Sequence, residues 1–258
     1  MFKEGMIVNF ILLSIMTVGY LYILQKIKGG YLPEIRNIPA IDALKEYTGR
    51  AVEMGRPMHF TSGDTSQDIS SGERFPNVLS GLRIAGYLAS LCGKMGADLI
   101  CSIGMPTILP LAEDIVKSGF IAAGVPEKFT SETVQFTGGQ YAARTIGNIA
   151  RYNIACNVLV GDIGSTAWTI CEAAASIGAT QIGGTPNDSN MVVLVVCSDY
   201  TFLGDEQYTA GAVISKNPPD LASIVAMDFF KAAGMVLLFL SFILLNMGNN
   251  WIINTLRL

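Results

Sequence analysis

Two long segments without a charged side chain, one near each end of the chain, constrain this sequence more than any other feature. They comprise residues 6–24 and 232–256. A helix needs about 20 residues to cross the hydrocarbon core of a bilayer, and lipid offers no hydrogen-bond partner to an irregular backbone. We therefore predict one transmembrane helix over residues 1–25 and a second, followed by a short tail, over residues 226–258.

Basic residues beside the two apolar segments predict how the chain is oriented. Lys26, Lys28 and Arg36 follow the first segment, and Lys216 and Lys231 precede the second. The positive-inside rule then places the central region in the cytoplasm and both termini outside a plasma membrane that is crossed twice. A cleaved signal peptide is the alternative for the first segment, but the positive charges follow the apolar core and no small-residue cleavage site is present.

Between a linker over residues 26–40 and the second apolar segment, the sequence alternates between short strands and longer helices. Helices are predicted at 41–54, 77–94, 107–123, 138–154, 165–176 and 203–214, and strands at 58–61, 98–103, 133–136, 157–160, 179–182 and 191–197. This alternation is typical of βαβ units, and the apolar run at 191–196 suggests a strand covered on both faces. We predict that residues 41–225 form a three-layer α/β domain with a mostly parallel, Rossmann-like sheet.

Composition excludes some partners and indicates the state of the cysteines. The net charge is −4 and the chain has no basic stripe, which argues against nucleic acid as a partner. The five cysteines lie apart from one another among apolar or small residues. That setting predicts buried free thiols rather than metal ligands, and it favours a reducing compartment.

Ligands of open α/β sheets bind at the carboxyl ends of the strands, and the predicted strand ends carry small or polar residues. These candidate ligand-binding residues are Ser62, Asp162, Gly183, Gly184, Thr185, Asp199, Tyr200 and Glu206. Small residues allow a ligand to approach the backbone, and helix N-termini attract anions. The competing explanation is that tight βα turns need glycine for steric reasons alone.

His59, the only histidine, is a further candidate and lies in a predicted strand. As a general base it would need a nucleophile nearby, such as Thr61 or Ser62. A single histidine in a half-buried strand more often has a structural role, and we favour that interpretation.

Carboxylates near strand ends and helix starts allow two interpretations. They could converge on Mg²⁺, or they could cap helices, where negative charge at the first turn is favourable; the second interpretation is preferred for Asp162, Asp199, Asp205 and Glu206. Arg144 and Arg151 lie seven residues apart on one predicted helix. They could pair with these carboxylates within the chain or across a subunit contact.

The sequence contains no standard catalytic signature. It has no GxxxxGK[ST] phosphate loop, no GxGxxG, no GxSxG and no HExxH motif. No catalytic residue, metal ligand or cofactor is therefore assigned, and whether the chain is an enzyme stays open.

Four short strings give the chain a resemblance. They are residues 57–63 (PMHFTSG), 157–161 (NVLVG), 181–185 (QIGGT) and 199–206, where DY is followed by GDE. In combination they resemble a prokaryotic family of integral membrane proteins that carries a domain of unknown function, over about residues 40–235 of this chain. The resemblance implies membrane anchoring, but it implies no activity and no catalytic residue.

These observations favour a membrane-anchored cytoplasmic module that self-associates and acts as a scaffold. Its expected partners are the lipid bilayer and further copies of the chain or a larger membrane complex. The alternative is a domain that binds a small ligand or nucleotide at the strand carboxyl ends, with hydrolase activity as an option. A transport component is disfavoured, because two membrane helices per chain are too few for a pathway through a monomer.

Overall fold

The computed structural model describes residues 6–31, 33–63 and 75–246. The chain divides into two compact units, one formed by Arg36–Ser215 and the other by Met1–Ile35 together with Lys216–Leu258. Most of the predicted loop after the first strand, residues 64–74, lies outside the described residues, as does the predicted tail from residue 247 onward.

The larger unit is built on one six-stranded sheet in which every strand pairs in parallel with its neighbours. The strands are β1 Met58–Gly63, β2 Leu99–Ile103, β3 Val134–Phe136, β4 Cys156–Asp162, β5 Thr180–Thr185 and β6 Tyr200–Leu203. Their order in the sheet is β3-β2-β1-β4-β5-β6, so the predicted parallel sheet is confirmed. The first strand lies at the centre of the sheet. The chain adds β2 and β3 on one side of β1 and then returns to add β4, β5 and β6 on the other side, so the strand order reverses between β1 and β4. That position is the topological switch point of doubly wound folds.

Helices cover both faces of the sheet. On one face pack α2 Pro39–Met54, α3 Phe75–Met95, α4 Leu109–Ala122 and α8 Asp205–Ser215. On the other face pack α5 Tyr141–Tyr152, α6 Ala167–Ser176 and α7 Asp188–Cys197. Neighbouring residues of β4 divide between the two cores, since Val158 and Val160 join the first and Leu159 joins the second. This alternation follows from the two-residue repeat of a strand.

The prediction of a strand at residues 191–197 is wrong, because these residues form most of the helix α7. A short apolar run does not distinguish a buried strand from a buried helix by its periodicity. The deciding feature lies just before the run, where the side chain of Asn187 accepts a hydrogen bond from the backbone N–H of Ser189 at 3.0 Å. This bond caps the helix at its start, and the sixth strand follows as β6.

The smaller unit contains two long helices that pack against each other, α1 Met6–Lys28 and α9 Pro218–Asn246. Gly19 allows a close contact, because a β-carbon there would lie 3.1 Å from the ring of Phe230. Segments Phe10–Lys28 and Pro218–Ile243 have mean hydropathies of 1.7 and 1.8, so by length and composition each is able to cross a membrane. Because α9 begins at Pro218, residues 218–225, which the sequence assigned to the central domain, belong to this helix.

Candidate functional site

The structure brings two of the predicted site residues together at the switch point. Ser62 and Asp162 lie at the carboxyl ends of β1 and β4, where Gly63 and Asp162 are partners in the sheet register. Ser62 is buried. At the end of β1, Gly63 has φ of +106°, a backbone conformation that residues with a side chain rarely adopt.

Asp162 ties the end of β4 to the start of α7. Its Oδ1 accepts hydrogen bonds from Nδ2 of Asn190 at 2.7 Å and from Nδ2 of Asn187 at 3.2 Å. The hydroxyl of the buried Thr185, at the end of β5, accepts the backbone N–H of Asn187 at 3.1 Å. Asp162 and Thr185 therefore belong to one polar cluster, and the sequence interpretation missed its two asparagines because it read their helix as a strand.

Gly183 and Gly184 are explained by packing. A β-carbon on Gly183 would lie 2.5 Å from Oγ of Ser198 and 3.1 Å from Cβ of Leu194, and one on Gly184 would lie 3.2 Å from Cβ of Phe202. The segment from α7 to β6 therefore fills the space beside both glycines. The steric explanation accounts for these two residues without a ligand.

Asp199 and Tyr200 lie where the strands begin, at their amino ends, whereas Ser62 lies at the carboxyl ends. Because residues 191–197 are helical, Asp199 precedes β6 rather than following a strand. Its Oδ2 accepts the backbone N–H of Gln181 at 2.8 Å, and the ring of Tyr200 packs edge-on against Tyr47 at a centroid distance of 6.0 Å. The predicted grouping of Asp199 and Tyr200 with the other strand-end residues is therefore wrong.

Glu206 lies in the first turn of α8 beside Asp205, as predicted for carboxylates at a helix start. Its carboxylate is 3.7 Å from the guanidinium of Arg36, and these side chains are 40% and 83% exposed. Among the described residues, no group of three or more His, Cys, Asp or Glu side chains is placed to hold a metal ion. The interpretation as helix-start charges fits these two positions better than a Mg²⁺ site.

His59 is fully buried in the sheet and forms two side-chain hydrogen bonds. Its Nδ1 is 2.7 Å from Oδ1 of Asn157, and its Nε2 is 2.9 Å from Oγ of Ser102. An amide oxygen only accepts, so Nδ1 carries the proton and the Ser102 hydroxyl donates to Nε2. Asn148 completes the chain, because its Nδ2 donates to Oγ of Ser102 at 3.1 Å.

The order serine, imidazole, amide matches the arrangement of nucleophile, base and orienting group in hydrolases. However, Ser102, His59 and Asn157 are each fully buried, so a substrate has no path to the hydroxyl in this conformation. Burial lowers the pKa of His59 to about 4, against a smaller opposing effect of the Asn157 hydrogen bond. A neutral, enclosed imidazole supports the structural role favoured from sequence. Neither predicted partner bonds to it, since Thr61 donates to the Ser102 carbonyl at 2.8 Å instead.

Four polar side chains on neighbouring strands form what we call the polar row: Ser102, His59, Asn157 and Gln181 on β2, β1, β4 and β5. Asn157 and Gln181 are register partners. Nδ2 of Asn157, a donor, and Oε1 of Gln181, an acceptor, are buried and have no hydrogen-bond partner among the residues that the structure describes. Each strand contributes one such residue, a pattern that becomes visible only when the strand order is known.

The cysteines match the prediction of free thiols. Cys92, Cys101, Cys156 and Cys171 are buried, and Cys197 is half-buried. Burial is the main cause that raises the pKa of Cys156 and of Cys171 to about 12. Because the thiolate is the reactive form, these thiols are chemically inert.

Arg144 and Arg151 do not pair with the proposed carboxylates within the described part of one chain, and their pairing across a subunit contact stays a prediction. Within the described part of the chain neither forms an ion pair. Nη1 of Arg144 donates to the carbonyl of Phe136 at 3.1 Å, and the guanidinium of Arg151 lies 5.3 Å from the ring centroid of Tyr152.

Comparison with known proteins agrees with the resemblance seen in the motifs. No curated protein matches this sequence. A family described as Domain of unknown function (DUF6754) matches residues 1–256, which is nearly the whole chain of 258 residues. The fold, the polar row and the switch-point residues all lie inside the matched range, and the chain belongs to the DUF6754 family.

Proposed function

We propose that this chain is a membrane-anchored α/β module that associates with further copies of itself and holds partners at the cytoplasmic surface. The observation that carries the proposal is an exposed apolar surface on α7. Val192, Val195 and Val196 are 70%, 54% and 70% exposed. We call these three side chains the α7 face.

The α7 face has the properties of a contact surface. Residues three and four apart on a helix are neighbours, so the three valines form one patch, while Asn190 and Leu194 are buried. Contiguous exposed apolar side chains are typical of surfaces that contact another protein. No charged residue lies between 189 and 198, so two copies related by a twofold axis can bring their α7 faces together without repulsion between like charges.

Membrane anchoring strengthens this proposal. The helices α1 and α9 are long and apolar, and their outward residues include Leu13 at 62% and Leu238 at 73% exposure. Lys26 and Lys28 end α1, which favours a cytoplasmic position for the residues that follow. Anchoring copies in one membrane raises their effective concentration, so a small contact area is enough.

The test is the mass of the full-length protein in mild detergent, measured by light scattering after size exclusion. We expect a defined oligomer for the wild type and a smaller particle for the double variant Val192→Glu/Val196→Glu. The control is Ile121→Glu, which places one negative charge, half of that added by the double variant, on an exposed apolar position of α4, 53% exposed. A wild type that is strictly monomeric, or an oligomer that the double variant leaves intact, contradicts the proposal.

Ligand binding at the carboxyl edge of the sheet is a second candidate, and the strand order favours it. In doubly wound sheets the switch point opens a crevice that binds ligands, and Ser62, Gly63 and Asp162 lie there. This candidate rests on the analogy with the ligand sites of other doubly wound folds.

Thermal shift of the full-length protein against nucleotides, sugar phosphates and Mg²⁺ tests this candidate. We expect a stabilising ligand whose effect is lost in Asp162→Asn. Asp199→Asn is the control, because it makes the same change at the opposite edge of the sheet. If no compound in the panel stabilises the wild type, or if both variants respond alike, the crevice is not the binding site.

A further inference from the structure

A pocket between β3 and α5 has a lining that suits an anion. Its volume is about 320 Å³, and its polar lining residues are Gln135, Thr137, Arg144, Asn148 and Arg151. The remaining lining residues, Phe136 and Gly147, carry no charge, so among the described residues the lining holds two positive charges and no carboxylate. The net charge of the chain is −4, so the positive charge of this lining is opposite in sign to that of the whole protein. We call this cavity the α5 pocket.

The two arginines are arranged to act on the same ligand. They are seven residues apart on α5, which separates their α-carbons by about 10 Å along the axis and puts them on one face. Both arginines are exposed, and each has one contact that restrains its side chain: Arg144 donates to the Phe136 carbonyl, and Arg151 lies over the Tyr152 ring. Between them, a β-carbon on Gly147 would meet no atom within 4 Å, so the middle of the pocket is open.

We propose that the α5 pocket binds a phosphate group of a small molecule through Arg144 and Arg151. A guanidinium presents its N–H groups in a planar fork that matches phosphate oxygens, and such charge-assisted bonds are the strong ones. Asn148 uses one amide N–H on Ser102, and its second N–H is available as a neutral donor. The pocket volume lies at the lower end of the range for small-molecule sites, which fits a compact ligand such as a diphosphate.

The α5 pocket is connected to the protein interior by hydrogen bonds. Asn148 lines the pocket and donates to Ser102, and Ser102 in turn donates to His59. We therefore expect a ligand that contacts Asn148 to alter the hydrogen bond that the imidazole receives. His59 is the only histidine, so its ring resonances report on the occupied pocket without ambiguity.

The test is calorimetric titration of the full-length protein in neutral detergent with inorganic phosphate and with pyrophosphate. We expect saturable binding that is tighter for pyrophosphate, because its two ends reach both arginines. Arg144→Gln and Arg151→Gln should each weaken binding by about tenfold or more. The control Arg50→Gln removes an arginine that pairs with Glu46 on α2, and it should leave the affinity unchanged.

Two further measurements identify the source of the phosphate and the connection to His59. Adding phosphatidylglycerol, with phosphatidylcholine as its control, asks whether a lipid headgroup competes with pyrophosphate at the same arginines. Pyrophosphate should shift the His59 imidazole resonances in the wild type and not in Arg144→Gln/Arg151→Gln. The proposal is overturned if millimolar phosphate, pyrophosphate and anionic lipid all fail to bind, or if binding is indifferent to both arginines.

Discussion

The two faces of the central sheet use the same strands for different purposes. On β1, Met58 and Phe60 enter the apolar core with α3, while His59 and Thr61 point to the other side and form side-chain hydrogen bonds. The apolar face contributes transfer free energy, and a slip of one residue would turn Met58 and Phe60 out of it. The polar row depends on register, since a slip of one residue would turn His59 into the apolar core and leave it without partners. We conclude that the apolar cores on both faces stabilise the sheet, while the polar row adds hydrogen bonds that form in only one alignment.

The largest effect is expected on the apolar face. Phe60 is among the largest fully buried side chains, so Phe60→Ala should lower the free energy of unfolding by about 3–5 kcal/mol through lost burial and a cavity. Denaturant unfolding of the full-length protein in detergent measures this. The exposed control Ile121→Ala should change stability by less than about 0.5 kcal/mol. A small effect at Phe60 would mean that this face is not the dominant core.

The next effect is a pH dependence that originates in the polar row. His59 has its pKa lowered from 6.5 to about 4, so between these values the unfolded chain binds a proton that the native state does not. Stability from this group is complete above pH 6.5 and falls as the pH drops to 4, by about 3 kcal/mol in total. Unfolding curves across this window check the slope. His59→Gln should remove this contribution, and an unchanged slope in that variant would contradict it.

A smaller effect is expected from single variants of the polar row. Unlike losses on the apolar face, their losses of unfolding free energy should not add up when the variants are combined. Asn157→Leu leaves the buried Nδ1–H of His59 without an acceptor and should cost about 1–3 kcal/mol. The triple variant Ser102→Ala/His59→Leu/Asn157→Leu removes donors and acceptors together. It should cost less than the sum of the three single variants, because the three groups no longer strand one another and only the amide of Asn148 loses an acceptor. Strict additivity in unfolding experiments would show that these residues do not act as a unit.

The smallest effect is expected at the surface candidate Glu206. Its pair with Arg36 is long and largely solvent-exposed, and such pairs contribute about 0–1 kcal/mol. Glu206→Gln should therefore shift the midpoint of thermal unfolding very little at physiological ionic strength. A large loss of stability would show that Glu206 has a role beyond this ion pair.

The sequence predicted the class of the fold but only part of the candidate site. Glycine and proline residues marked the turns in the sequence. The strands predicted between those turns lie near the observed positions of β1 to β5, because turn residues act locally. The strand predicted at 191–197 is the helix α7, and that one error moved Asp199 and Tyr200 to the wrong edge of the sheet. The polar row was missed because Ser102, His59 and Asn157 are far apart in the chain and meet only through strand pairing.

By itself the sequence determined the two apolar end segments, the alternation of strands and helices up to β5, and the free thiols, because each depends on local composition and periodicity. Only the tertiary structure decided the strand order, the partners of His59 and the side of the sheet to which each strand-end residue belongs. These properties depend on which distant segments lie side by side. For the same reason the sequence predicts Arg144 and Arg151 as a pair on one helix, whereas the pocket that they share depends on the packing of β3 beside α5.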